Sequence, residues 1–184
     1  DDFKLNIFYS NPSPLNYIEA IDESIWPDSI DGKTLLSLFN LDNLNMNNDL
    51  QNGGDGFFDF VPNLTIDSNN GLIIFTSVEP FGEYLFNKLK DTNSSIENYQ
   101  NEDSYNVNQK KYVYQEIYSL SKTGAEEKIE KNKFQLKGSY KTSGDSGGIA
   151  IGQFNVPRGS VKVSAGGRLL QEGVDYTVNY QAGR

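Results

Sequence analysis

Apolar and polar residues alternate through Phe3-Lys4-Leu5-Asn6-Ile7-Phe8-Tyr9, the pattern of a half-buried strand. Asn11-Pro12-Ser13-Pro14 breaks it. Lys33 to Phe39 reads as a short helix with Asp31 at its N-cap. From Asn40 to Gly56 the chain is crowded with Asn, Asp and Gly, which is loop chemistry. Phe57–Asp67 and Gly71–Ser77 read as strands joined through Asn70-Gly71, two residues that tolerate positive φ and so favour a hairpin. Pro80 opens a short helix that runs through Leu89. Residues 91–109 are polar and lack a period, which predicts a mobile linker. Val113, Ile117, Leu120, Gly124, Ala125 and Ile129 recur at helical spacing and predict one amphipathic helix near 111–131. Phe134–Tyr140 alternates again, a Gly-rich loop covers Ser143–Gly148, and the tail is strongly β. There Ser160–Ala165 alternates, Gly166-Gly167 turns, Arg168–Leu170 returns, and Val174–Tyr180 reads as a last strand with an open edge.

These elements predict an α+β protein, predominantly antiparallel β-sheet with a few helices. The expected division is a strand/helix subdomain at 1–90 with the Asn/Asp-rich loop, a polar linker at 91–109, and a helix plus antiparallel β subdomain at 110–184.

Composition narrows the chemistry. The chain has 184 residues, enough for one domain or two small ones, and it begins with Asp1, which reads as a processed or trimmed product. Its net charge is −9, so a nucleic-acid partner is not expected, because phosphate binding needs a dense basic surface. No apolar run approaches the ~20 residues of a membrane helix, so the piece is expected to be soluble and not to span the membrane itself. The chain holds no Cys and no His, which removes disulfides, thiol catalysis, Cys-ligated zinc and the usual general base at neutral pH.

Several motifs invite a chemical reading. Gly144-Asp145-Ser146-Gly147-Gly148 spells the signature around a serine-protease nucleophile, yet that serine needs a base such as His. No catalytic residue is assigned. Asn45, Asn47, Asp49, Asn52, Asp55 and Asp59 offer hard oxygen ligands near Gly53, Gly54 and Gly56, as calcium loops do, but their spacing does not match the EF-hand. An Asx-turn loop explains them more simply, and no cofactor is expected; if Ca²⁺ binds, Asp49, Asp55 and Asp59 are its ligands. Glu126-Glu127 reads as a solvated face beside Lys128 and Lys131, and Trp26 as core packing in preference to a sugar platform. Asn63-Leu64-Thr65 and Asn93-Ser94-Ser95 fit the N-glycosylation pattern.

Two stretches are more particular. One runs from Asp55-Gly56-Phe57-Phe58-Asp59-Phe60-Val61-Pro62-Asn63-Leu64-Thr65-Ile66-Asp67-Ser68 through Asn70–Phe75 to Glu79-Pro80-Phe81-Gly82. The other runs from Phe154-Asn155-Val156-Pro157-Arg158-Gly159-Ser160-Val161-Lys162-Val163 through Ala165–Arg168 and Glu172–Val178 to Tyr180. Both closely resemble the SprA family of gliding-motility proteins, which form the outer-membrane translocon of the type IX secretion system. Glu130–Gly138 also looks like that family, and the likeness is thinnest over 91–109.

The resemblance implies a very large transmembrane β-barrel that passes folded cargo, with soluble insertions between its strands. This chain shows no aromatic-girdle pattern, so it is expected to be one such insertion and not barrel wall. Its expected role is a non-catalytic structural or docking domain, on the extracellular side of the outer membrane in preference to the periplasmic side. The partners implied are the rest of the parent barrel, accessory translocon subunits and secreted cargo. Phe57, Phe58, Pro62, Pro80 and Phe81 are the interaction candidates, since they combine aromatics with turn formers. The alternatives are a cell-surface binding module for calcium or glycan and, last, a hydrolase.

Overall fold

In the computed structural model, residues 3–140, 149 and 151–183 are described. The architecture is α+β with short antiparallel sheets and short helices. Among the described residues no sheet closes into a barrel, and no helix is long and apolar enough to cross a membrane. The chain divides into two compact units, Asp1–Tyr140 and Lys141–Arg184. The boundary therefore lies at Tyr140, not within the expected linker.

The first unit is built on strand β1 (Lys4–Ser10), in which Leu5, Ile7 and Tyr9 face the core and the intervening side chains face away. The short strand β2 (Pro14–Leu15) pairs with it only at Tyr9 and Ser10. Helix α1 (Leu35–Leu38) follows, and Thr34, not Asp31, caps it: the Thr34 hydroxyl accepts the Ser37 N–H at 3.2 Å. Asp31 lies too far upstream to reach those orphan donors.

Of the long strand expected over Phe57–Asp67, only β3 (Ile66–Asp67) forms, and it pairs with β4 (Leu72–Ile73). Upstream, the Thr65 side chain takes the Val61 N–H at 2.9 Å and donates to the Asp59 carbonyl, which turns the backbone away from any ladder. The hairpin itself forms as the Asn-Gly pair predicts. Gly71 sits at φ 66°, and the Asp67 carboxylate accepts the N–H groups of Asn69 and Asn70 at 3.0 and 3.1 Å. The Asn70 side-chain amide, which also donates to this carboxylate, and then these backbone bonds hold the Asp67 carboxyl below its ordinary pKa.

Helix α2 (Leu85–Lys88) follows a tight turn over Pro80–Tyr84. The segment 91–109 is not a free linker. Glu97 is buried, and its carboxylate accepts from the Asp91 N–H, the Asn106 amide and the Gln109 amide at 3.2, 3.0 and 2.9 Å. Tyr99 and Tyr105 join the core, and the Tyr105 hydroxyl donates to the Tyr99 carbonyl at 2.7 Å. Its residues hold it through polar partners, so an apolar period was never the right signal.

The single helix expected near 111–131 is replaced by three: α3 (Val107–Tyr112), α4 (Glu116–Ser119) and α5 (Lys122–Glu126). Val113 is extended at ψ 128°, and the Tyr114 N–H donates to the Phe81 carbonyl at 2.8 Å, a tertiary bond that a continuing helix would forbid. Lys131 Nζ reaches back to the freed carbonyls of Lys110 and Val113. A second break falls at Leu120, where Ser121 caps α5 by accepting the Gly124 N–H at 3.2 Å. Val113 and Ala125 are buried, whereas Ile117, Leu120 and Ile129 are exposed.

Strand β5 (Phe134–Ser139) closes the first unit and pairs with β1 over its whole length, Lys4 opposite Ser139 and Tyr9 opposite Phe134. The sheet order is β2-β1-β5. One core joins Ile7, Leu35, Phe39, Leu41, Phe81, Leu85, Leu89, Tyr105, Tyr112 and Val113, so residues on both sides of 91–109 share it.

The second unit contains strands β6 (Ser164–Ala165) and β7 (Arg168–Leu169), joined at Gly166-Gly167. The Leu170 N–H extends the pairing to the Val163 carbonyl at 2.8 Å. Val174–Tyr180 is not a strand. Asp175 instead accepts the Gln171 N–H at 2.8 Å and meets Arg168 at 3.3 Å, folding that stretch into a local turn. The carbonyls of Tyr180, Gln181 and Gly183 accept from Val156, Asn155 and Ile151, so the expected open edge is occupied there.

Candidate functional site

The prominent surface feature of the first unit is the long loop between α1 and β3. Its Asn, Asp and Gly residues prevent regular structure, and its carboxylates replace the missing ladders. Asp42, 1% exposed, accepts the N–H groups of Asp55 and Gly56 at 2.8 and 3.1 Å. Asp59 accepts those of Asn43 and Leu44 at 2.6 and 3.2 Å, while the Asp59 N–H donates to the Leu41 carbonyl at 2.8 Å. Burial pushes the Asp42 carboxyl above its ordinary pKa, a shift the two N–H donors oppose and the neighbouring Asp55 and Asp59 charges reinforce. Gly54 passes so close to Asp42 that a Cβ would lie 1.9 Å from its Oδ1, and its φ of 72° lies in the left-handed region that favours glycine.

This bracing decides the fate of the candidate ligands. Asp59 spends its carboxylate on two backbone donors. Asp55 accepts the Phe57 N–H at 3.1 Å in an Asx turn. Asp49 is exposed, and its N–H is taken by the Asn45 side chain at 3.0 Å. Among the described residues no three His, Cys, Asp or Glu side chains converge as a metal site requires. The Gly144–Gly148 motif lies outside the described residues.

The aromatic candidates separate into two groups. Phe57 is 59% exposed at the loop's outer bend, and Phe58 beside it is half-buried against the core. Pro62 is exposed further along the same loop. Phe81 is buried, with ring centroids 4.9, 5.4 and 4.8 Å from Phe39, Phe75 and Phe134, and half-buried Pro80 precedes it at the turn. Phe81 therefore belongs to the core and not to the surface.

Two further aromatics join Phe57 and Phe58 that sequence reasoning left out. Phe3 stacks edge-on against both Phe58 and Phe60, each at 5.6 Å, and Phe60 is 36% exposed. Beside them runs a groove of about 450 Å³, walled by Phe3, Phe57 and Phe58 and floored by Phe8, Lys4 and Lys137 of the β1–β5 pair. The alternation of β1 foretold that Lys4, Asn6 and Phe8 share the face away from the core. What lies opposite them follows only from the register with β5.

Trp26 is half-buried and packs edge-on against Tyr112 at 6.4 Å. Glu79 has a φ of 44° and accepts the Tyr99 hydroxyl at 2.7 Å, so its carboxylate organises the turn around Gly82. Glu126 lies 3.9 Å from Lys122 on an exposed helix face.

Fold and site together define a small α+β protein that carries an aromatic loop on a braced scaffold. No protein-family model matches the chain, and no curated protein matches it.

Proposed function

We propose that the chain is a non-catalytic structural and docking piece of a SprA-like outer-membrane translocon, serving type IX protein secretion and gliding motility. Its partners are the remainder of the parent barrel, accessory translocon subunits and passing cargo, met on the extracellular side. The Phe57–Phe60 loop is the contact surface. One observation carries the docking role: Phe57 is 59% exposed on a loop whose backbone is otherwise fixed by Asp42 and Asp59. A large ring held out on a rigid support loses little entropy when a partner covers it, and aromatic anchors dominate interface energetics. The long resemblance over residues 55–82 and 154–180 supports the choice of parent assembly.

The test is Phe57→Ala in the intact parent protein. Secretion is expected to fall while the purified variant chain keeps the melting temperature of the wild type within a few degrees. Unchanged secretion, or loss of folding, would remove Phe57 from the interface. Calorimetry with Ca²⁺ and a glycan array should show no tight binding; a micromolar ligand in either would favour a surface binding module instead.

A further inference from the structure

The groove beside Phe57 differs in charge from the unit around it. Residues 1–140 carry twenty-two Asp and Glu against eleven Lys and no Arg. Yet the ionisable side chains lining this groove, among the described residues, are Lys4 and Lys137, while Asp55 and Asp59 line an adjoining hollow that shares Phe3, Lys4, Phe57 and Phe58, with the Asp59 carboxylate turned onto the Asn43 and Leu44 N–H groups. Both are exposed, and both project from the face of the sheet that turns away from the core. Lys4 stands opposite Ser139 and Lys137 opposite Asn6, so the two lysines are diagonal neighbours across the pair. Such neighbours lie about 7–8 Å apart, a span one or two carboxylates can bridge. Lys137 Nζ also sits 5.4 Å from the centroid of the Phe8 ring, which keeps its charge over the groove floor.

The shape fits a chain more than a compact molecule. The groove follows the strands, and β2 covers β1 only at Tyr9 and Ser10. Lys133 accepts from Ser10, so alternate residues of β1 direct their backbone groups away from β5. Ile7 is one of these, and its N–H is occupied by the Asn6 side chain at 2.9 Å. At Leu5, which lines the groove, no strand among the described residues pairs with that side of β1.

We infer that this groove binds an extended acidic peptide segment, with an aromatic side chain seated between Phe3 and Phe57 and flanking carboxylates on Lys4 and Lys137. The apolar walls supply contact area, and the lysines supply sign. The negative field of the rest of the unit disfavours such a segment elsewhere, which directs it to this position. The inference deepens the docking reading and rests on it, but it concerns the chain alone and does not depend on which assembly the chain belongs to.

The experiment uses the full 184-residue chain and an acetylated nonapeptide with a central Asp-Phe-Glu in Ser/Thr flanks, titrated by calorimetry and by amide chemical shifts. Saturable binding is expected, with shifts centred on Lys4–Phe8, Gly56–Phe58 and Lys137–Ser139. Lys4→Gln and Lys137→Gln, both exposed and neutral to folding, should each weaken it about two- to fivefold. Phe57→Ala should weaken it about tenfold or more. Peptides with central Asn-Phe-Gln, Lys-Phe-Lys or Asp-Ala-Glu should bind less well. Binding that ignores the lysine substitutions, equal binding of the basic peptide, or no binding at millimolar concentration would overturn the inference. If the peptide fails while Phe57→Ala still impairs the parent assembly, only this inference falls. If both fail, the docking reading falls with it.

Discussion

The two units carry the same kind of alternating sequence and reach opposite results. In the first, Ile7 and Tyr9 of β1 are covered by α1, by the Phe81 turn and by the tyrosines of 99–114, and Ile7, Leu35, Phe39 and Leu85 are wholly inaccessible. In the second, no described side chain is buried; Phe154, Leu169 and Val174 stay 81%, 66% and 75% exposed. Both have antiparallel pairs, but among the described residues only the first has a second layer to close over them. A short ribbon without a covering layer buries too little apolar area to offset its chain entropy, so alternation alone does not make a core.

Truncation in each unit gives the sharpest contrast. Phe39→Ala should destabilise the first unit by about 3–5 kcal/mol, measured by denaturant unfolding. Leu169→Ala in the second should change stability by less than ~0.5 kcal/mol. Comparable losses at the two positions would erase the distinction. Native-state hydrogen exchange should agree, with protected amides at Phe39 and Tyr114 and fast exchange through β6 and β7.

Gly54→Ala comes next. It places a methyl group against Asp42 at a positive φ and should cost about 1–3 kcal/mol. It should also release the 41–66 loop and blunt any function of Phe57. The matching change at Gly173, also at positive φ but with open space around its Cβ position, should cost less.

Smaller effects come from caps. Asn106→Ala removes the capping box of α3 and one donor to buried Glu97, and should cost about 1 kcal/mol or somewhat more. Thr34→Ala should cost about 1 kcal/mol through α1 alone.

The mildest prediction concerns alkali. Burial raises the Tyr9 hydroxyl to about 12, helped by Tyr112, and likewise raises Tyr118 to about 12 against the bond it accepts from Phe81. Tyr99 and Tyr105 are pushed higher still by the same cause. These groups bind protons more tightly folded than unfolded, so their stabilisation is complete below about pH 10 and is lost as pH rises through 12. A circular-dichroism melt should therefore hold steady from neutral to about pH 9.5 and fall progressively above it. A flat profile to pH 12 would mean that the folded state does not hold these tyrosine hydroxyls protonated.

Local chemistry was legible wherever neighbours in sequence settle the outcome. The alternation of β1 and β5, the Asn70-Gly71 hairpin, the Gly166-Gly167 turn and the loop character of 40–56 all follow from residues acting on their own backbone. Half the candidate site was legible too: Phe57 and Phe58 stood out as aromatics among turn formers. Tertiary structure decided the rest, because each such outcome depends on a partner far along the chain. Phe81 became core through Phe39 and Phe134, the 111–131 pattern broke where Tyr114 bonds Phe81, and 91–109 was fixed by the Glu97 carboxylate. Lys4 and Lys137 became one site only because β1 and β5, more than a hundred residues apart, chose the register that makes them neighbours.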